Sequence, residues 1–89
     1  MGYDVSLNNR DRFIQLGITI AALRKIRGMS QEQLAEKANM SRSHLSSIEA
    51  PNIVRPFSLE ILYNIADALE IDAGELLKAS IFTSQMLTH

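Results

Sequence analysis

SQEQLAEKANMSRSHLSSIE, residues 30–49, reads as two short helices joined by a tight turn, and the rest of the chain reads as their support. Ser30 with Gln33 three residues on has the capping-box spacing, in which hydroxyl and amide each satisfy an orphan backbone donor. This predicts a helix from Gln31. Leu34 and Ala38 recur one turn apart on a single face, and Ala35 beside them is small enough to let another helix come close. Asn39 stands where the chain must turn, and Asn is one of the few residues besides Gly that tolerates a positive φ. After Met40, an apolar plug, Ser41 can cap a second helix. In it Leu45 and Ile48 face inward, with Arg42, Ser43, Ser46 and Ser47 outward.

Working outward, the 89 residues allow one small domain with a modest core. The absence of cysteine excludes a disulfide framework and a thiolate metal site, and nothing points to an oxidising compartment. There is no apolar run of membrane-span length and no basic-then-apolar leader pattern, so the expected location is the cytoplasm. A net charge of −1 runs against nucleic acid as a partner, since DNA binders usually carry excess Lys and Arg. The charge is unevenly spread, however. Residues 1–29 carry Arg10, Arg12, Arg24, Lys25 and Arg27 against Asp4 and Asp11, a net +3. Residues 30–49 come to −1, and residues 50–89 set Arg55 and Lys78 against five acids, a net −3. Such a molecule can turn a basic side to a duplex and keep its acidic side in solvent, with salt-sensitive affinity.

Residues 1–9 lack periodicity and read as a loose arm, frayed rather than wrapped on DNA. Asn8 or Asn9 can cap a first helix from about Arg10 to Arg27, stopped by Gly28. Its stripe Phe13, Leu16, Ile20 and Leu23 should cover the two short helices. A second stripe, Ile14, Ile18, Ala22 and Ile26, lies opposite, and a surface helix normally has one apolar face. Either the C-terminal tail, residues 81–89 with Ile81, Phe82, Met86 and Leu87, folds over it, or a second subunit does; scattered exposed isoleucines are the plain alternative. APNIVRPF, residues 50–57, holds both prolines and must be a loop. Ser58 caps a fourth helix whose inward face is Leu59, Leu62, Ile65, Ala66 and Leu69. Asp72 with Glu75 repeats the capping spacing and opens a fifth helix through Leu76 and Leu77.

The central stretch resembles the DNA-binding unit of the Xre family of regulators, kin of the lambdoid phage repressors and Cro. Gln31, Leu34, Ala35, Ala38, Met40, Leu45, Ile48 and Glu49 stand at the family's spacing, and Asn39 replaces the Gly most members carry at the turn. The resemblance extends through LRKIRGMS before it and FSLEILYNIADALEIDAGELL after it, roughly residues 16–77. It implies an all-α, five-helix, lambda-repressor-like domain over residues 10–80.

It also implies roles. The helix from Arg42 enters the major groove, where the Arg42 fork can pair with both guanine acceptors. Ser43, Ser47 and Ser41 fall at further base-reading positions. Gln31, at a helix start, can hold a phosphate, and Ser46, His44, Lys37, Asn52 and Arg55 are further backbone contacts. Arg24 and Glu49 match the family's paired positions and read as a structural ion pair, not as catalytic groups. In phage relatives the fifth helix helps form a dimer seam, where Glu75 stands here in place of an apolar residue.

Ser43 and His44 are neighbours on a helix and point different ways, so they make no nucleophile and base. No phosphate loop, carboxylate pocket or metal spacing is present, so no catalysis, metal or cofactor is expected. The expected function is sequence-specific binding of double-stranded DNA by a homodimer, as a transcriptional regulator that occludes a promoter, that is, a repressor on a palindromic operator. The rival is a protein-interaction module of the antitoxin type, with a protein partner on Ile14, Ile18, Ala22, Ile26 and the C-terminal tail. The outward polar face of Arg42 to Ser47 favours DNA, because a protein-binding helix more often shows apolar or aromatic anchors.

Overall fold

A computed structural model describes the backbone of residues 5–87 and the side chains of residues 5–81. Within it the chain forms α1 (Leu7–Ile26), α2 (Gln31–Lys37), α3 (Arg42–Glu49), α4 (Leu59–Ala68) and α5 (Ala73–Leu87). The domain is all-α among the described residues, as the periodicity predicts.

Local chemistry sets most boundaries. Ser30 and Gln33 make the full capping box: the Ser30 hydroxyl accepts from the Gln33 amide at 3.1 Å, and Gln33 Oε1 accepts from the Ser30 amide at 2.9 Å. Ser41 and Ser58 cap α3 and α4, accepting from the amides of His44 and Ile61. Two starts differ from expectation. Ser6, not Asn8 or Asn9, caps α1, so residues 7–9 belong to the helix rather than to an arm, and residues 1–4 lie outside the described residues. Asn9 then falls inside the first turn, where its carbonyl accepts from Arg12 Nη1 at 3.3 Å. At α5 the short Asp72 carboxylate accepts from the nearer Gly74 amide at 2.7 Å. Glu75 faces Lys78 on the exposed surface instead of closing a box.

Three helices end the same way. Gly28, Asn39 and Glu70 take positive φ of 74°, 57° and 59°. The amides of Met29, Met40 and Ile71 just beyond bond back to the carbonyls of Arg24, Ala35 and Ala66, which is the Schellman arrangement. Each of those three following residues packs against the core. Asn39 serves as anticipated; Glu70 carries no sequence signal for this backbone state, which disfavours a side chain.

The core gathers one face from every helix: Leu16 and Ile20, Leu34 and Ala35, Leu45 and Ile48, Leu62, Ile65 and Ala66, and Leu76. Each fully buried Leu or Ile contributes roughly 1.5–3 kcal/mol of transfer free energy. α1 lies between α3 and α5, while α2 packs on α3 and α4. Phe13 meets Phe57 edge to face at 5.8 Å, closing the loop of residues 50–57 onto α1. Leu59, expected inward, is instead 66% exposed and lines a cleft with Tyr63 and Leu77. α5 continues to Leu87, so the expected tail of residues 81–89 is largely helix. The side chains of Phe82, Met86 and Leu87 lie outside the described residues. On the second stripe of α1, Ile14 and Ile18 are half-buried and Ala22 and Ile26 exposed.

Gly17 is the residue on which the seating of α3 depends. A Cβ there would overlap the Ile48 carbonyl oxygen and press on its carbon at 3.0 Å. A glycine inside a helix sacrifices about 1 kcal/mol relative to alanine, and here it lets two backbones touch. Gly17→Ala should therefore lower stability by several kcal/mol instead of raising it, as backbone displacement in a packed core does. Urea unfolding followed by circular dichroism would check this, a stabilised variant being the contrary result.

Candidate nucleic-acid interface

At one hundred degrees per residue, the buried side chains of α3, Leu45, Ile48 and Glu49, define an inner face. Opposite lies the strip Ser43, Ser46 and Ser47, flanked by Arg42 on one side and His44 on the other. Arg42, Ser43, Ser46 and the cap residue Ser41 are exposed. Ser47 is half-buried, and its hydroxyl donates to the His44 carbonyl at 2.7 Å, which leaves its lone pairs as the outward function.

What holds this strip outward is a buried ionic network. Arg24 of α1 donates through Nε and Nη2 to the two oxygens of Glu49, at 2.9 and 3.0 Å, and through Nη1 to the Met29 carbonyl at 2.7 Å. Gln31 Nε2 adds a bond to Glu49 Oε1 at 3.0 Å. Three helices therefore converge on one carboxylate, whose side chain is only 4% exposed. The bond uses one of the two N–H groups of the Gln31 amide, so at that helix start the second N–H stands beside the backbone donors of α2.

The remaining residues named from the sequence divide by position. Lys37 is exposed at the end of α2, and Asn52 is exposed at the turn after α3. Arg55 is half-buried and lines, with His44, Pro56, Phe57, Ser58 and Ile61, an open cleft of about 390 Å³ beside α3. Burial, and secondarily the Arg55 charge, hold the His44 imidazole below its ordinary pKa.

Two members of the basic surplus of residues 1–29 make bonds within the fold. Arg24 is internal, and Arg27 donates to the Leu69 carbonyl at 2.8 Å and more weakly to Glu70, closing the end of α4. Neither Gly17 nor Arg27 was singled out by the sequence reading. For Gly17 a signal existed, a glycine inside an apolar helical pattern; for Arg27 none did.

The helix-turn-helix family model matches residues 20–76, well over half of the chain. The chain belongs to the Xre-type helix-turn-helix family of regulators. An immunity repressor protein of Bacillus phage phi105 is 46% identical over 61 residues, 68% of this chain and 41% of that protein. The chain thus spans about two fifths of that relative's length. Among solved structures, the restriction-modification controller protein C.AhdI from Aeromonas hydrophila is 33% identical, with a TM-score of 0.67 over 72% of this chain and 94% of that one. The controller protein C.Esp1396I is 28% identical, with a TM-score of 0.74 over 88% and 96%. The clp gene regulator ClgR from C. glutamicum is 25% identical, with a TM-score of 0.71 over 82% and 91%.

In this Xre-type domain the Arg24 and Glu49 pair is scaffold for α3. Arg24→Met would strand a buried carboxylate with Gln31 alone and should cost about 3–5 kcal/mol, most of it regained in an Arg24→Met, Glu49→Leu double variant. Denaturant midpoints of the three proteins would check this; an additive double variant would refute the coupling.

Proposed function

We propose that the chain binds double-stranded DNA sequence-specifically, as a homodimeric transcriptional regulator acting by occlusion of a palindromic operator. The carrying observation is the exposed polar strip of α3, with Arg42 and Ser43 at its leading end and no described element over it. In this reading α3 lies in the major groove, Arg42 reads a guanine, and Ser43, Ser47 and Ser41 add short-range contacts. Gln31, Ser46, Lys37, Asn52, Arg55 and His44 meet the sugar-phosphate chains. Cytoplasmic action without catalysis or cofactor belongs to the same reading. No helix among the described residues is long and apolar enough to cross a membrane.

In this reading the dimer forms through α4 and α5 rather than through the second stripe of α1. Leu59, Tyr63 and Leu77 are exposed together around a cleft of about 480 Å³ between α4 and α5, with Ile81, 59% exposed, further along α5. An apolar patch of this kind on a small domain marks an interface, and on α4 and α5 a second copy would leave α3 clear. The second stripe of α1 is a weaker candidate, since Ile14 and Ile18 are already half-covered. Partner proteins, as in an antitoxin-type module, compete for this α4 and α5 face.

Two outcomes are expected. Arg42→Ala should flatten preference at one base pair per half-site, by roughly 1–3 kcal/mol, while leaving the fold intact; uniform weakening across all duplexes would assign Arg42 to phosphate. Sedimentation should find a dimer that Tyr63→Glu converts to a monomer, with half-sites about 10 base pairs apart or a multiple of that. A wild-type monomer would instead hand the face to a different protein.

A further inference from the structure

The cleft beside α3 has a property that the groove-reading strip does not. Its lining carries two groups able to bear positive charge, His44 and Arg55, together with Pro56, Phe57, Ser58 and Ile61, and no acid. Among the described residues, the acids of the surrounding elements stand outside the lining. Glu49, on α3 itself, is buried against Arg24. Glu60, in the first turn of α4, is exposed and lines no part of the cleft. The charged residues of α1, which packs on α3, are likewise absent from the lining. The cleft is open, and at about 390 Å³ it is roomy enough for a phosphodiester group. His44 also flanks the outer strip of α3, so a DNA strand lying along that strip passes the cleft mouth.

Resting on the DNA-binding reading above, we infer that a DNA backbone phosphate seated between His44 and Arg55 brings a proton onto His44, so that affinity for DNA rises as pH falls. In the free protein two influences lower the pKa of the imidazole: partial burial, which disfavours the charged form, and the Arg55 guanidinium, which repels it. A phosphodiester in the cleft places a negative charge beside the imidazole. It offsets Arg55 and accepts a charge-assisted hydrogen bond from the imidazolium. The group therefore has a low pKa in the free state and a raised one in the complex. Between those two values binding takes up a proton, and affinity increases on acidification until pH falls below the free-state value. A neutral asparagine or glutamine in this position would bind phosphate without any such linkage.

The test measures the dissociation constant of the full chain for a selected duplex from about pH 8 to about pH 5.5 at constant ionic strength, because salt alone shifts such affinities. Wild type should tighten roughly three- to tenfold per subunit across that window, set by the uptake of up to one proton. His44→Gln, whatever its affinity at the alkaline end, should lose the slope. A companion NMR titration follows the His44 ring, free, with the duplex, and with inorganic phosphate. The expected result is a titration midpoint raised by the duplex well beyond any rise from inorganic phosphate. Duplex binding that is flat in pH, or a slope that survives in His44→Gln and so belongs to His89 or the DNA, overturns the linkage while leaving the DNA reading standing. A midpoint moved by inorganic phosphate, with no duplex bound at any pH, overturns the DNA reading and the linkage with it.

Discussion

One carboxylate organises the binding surface. Glu49 ends α3 in the interior, where its two oxygens are taken by Arg24 of α1 and one of them also by Gln31 of α2. A buried charge left without these partners would be strongly destabilising, so the three helices are held to a single relative geometry. Gly17 then allows α1 and α3 to meet backbone to backbone at the adjoining Ile48 carbonyl. Ionic convergence and steric permission together push the opposite face of α3 outward, and that face is the serine strip flanked by Arg42 and His44.

The same economy of charge shapes how the domain can recognise DNA. Of the basic residues in the first third of the chain, Arg24 is consumed by Glu49 and Arg27 by the carbonyls that end α4. The overall net charge is −1. Binding of DNA by a single domain would depend on few phosphate contacts, fall steeply with salt, and gain most from joining two copies. The exposed apolar residues of α4 and α5 offer a place for that joining away from α3.

Much was legible in the residue order because it is governed by interactions within a turn or two. A serine hydroxyl that accepts from the backbone amide three residues on fixes a helix start, and Ser30, Ser41 and Ser58 all behave so. Asn39 announces its left-handed turn, and the periodic Leu and Ile residues announce most of the core. Misreadings came where two local solutions compete within a few residues: Ser6 against Asn8 and Asn9 at the start of α1, and the Gly74 amide against that of Glu75 at Asp72. Glu70 is a harder case, since nothing in its side chain favours a positive φ; the Ile71 amide bonded to Ala66 and the Ile71 side chain packed on the core impose it.

By itself the sequence determined that the chain is helical, where most helices begin, and that a polar helix sits at the centre of an Xre-type unit. Tertiary structure alone decided which side chains remain available. Arg27 is unremarkable in the residue order and Gln31 reads there as a helix-start donor, yet partners forty-two and eighteen positions away each accept a bond from them. His44 and Arg55 become neighbours only when the loop closes onto α3 and α4. Side-chain availability is a property of distant packing, whereas capping and periodicity are properties of the local backbone, and only the latter can be read along the chain.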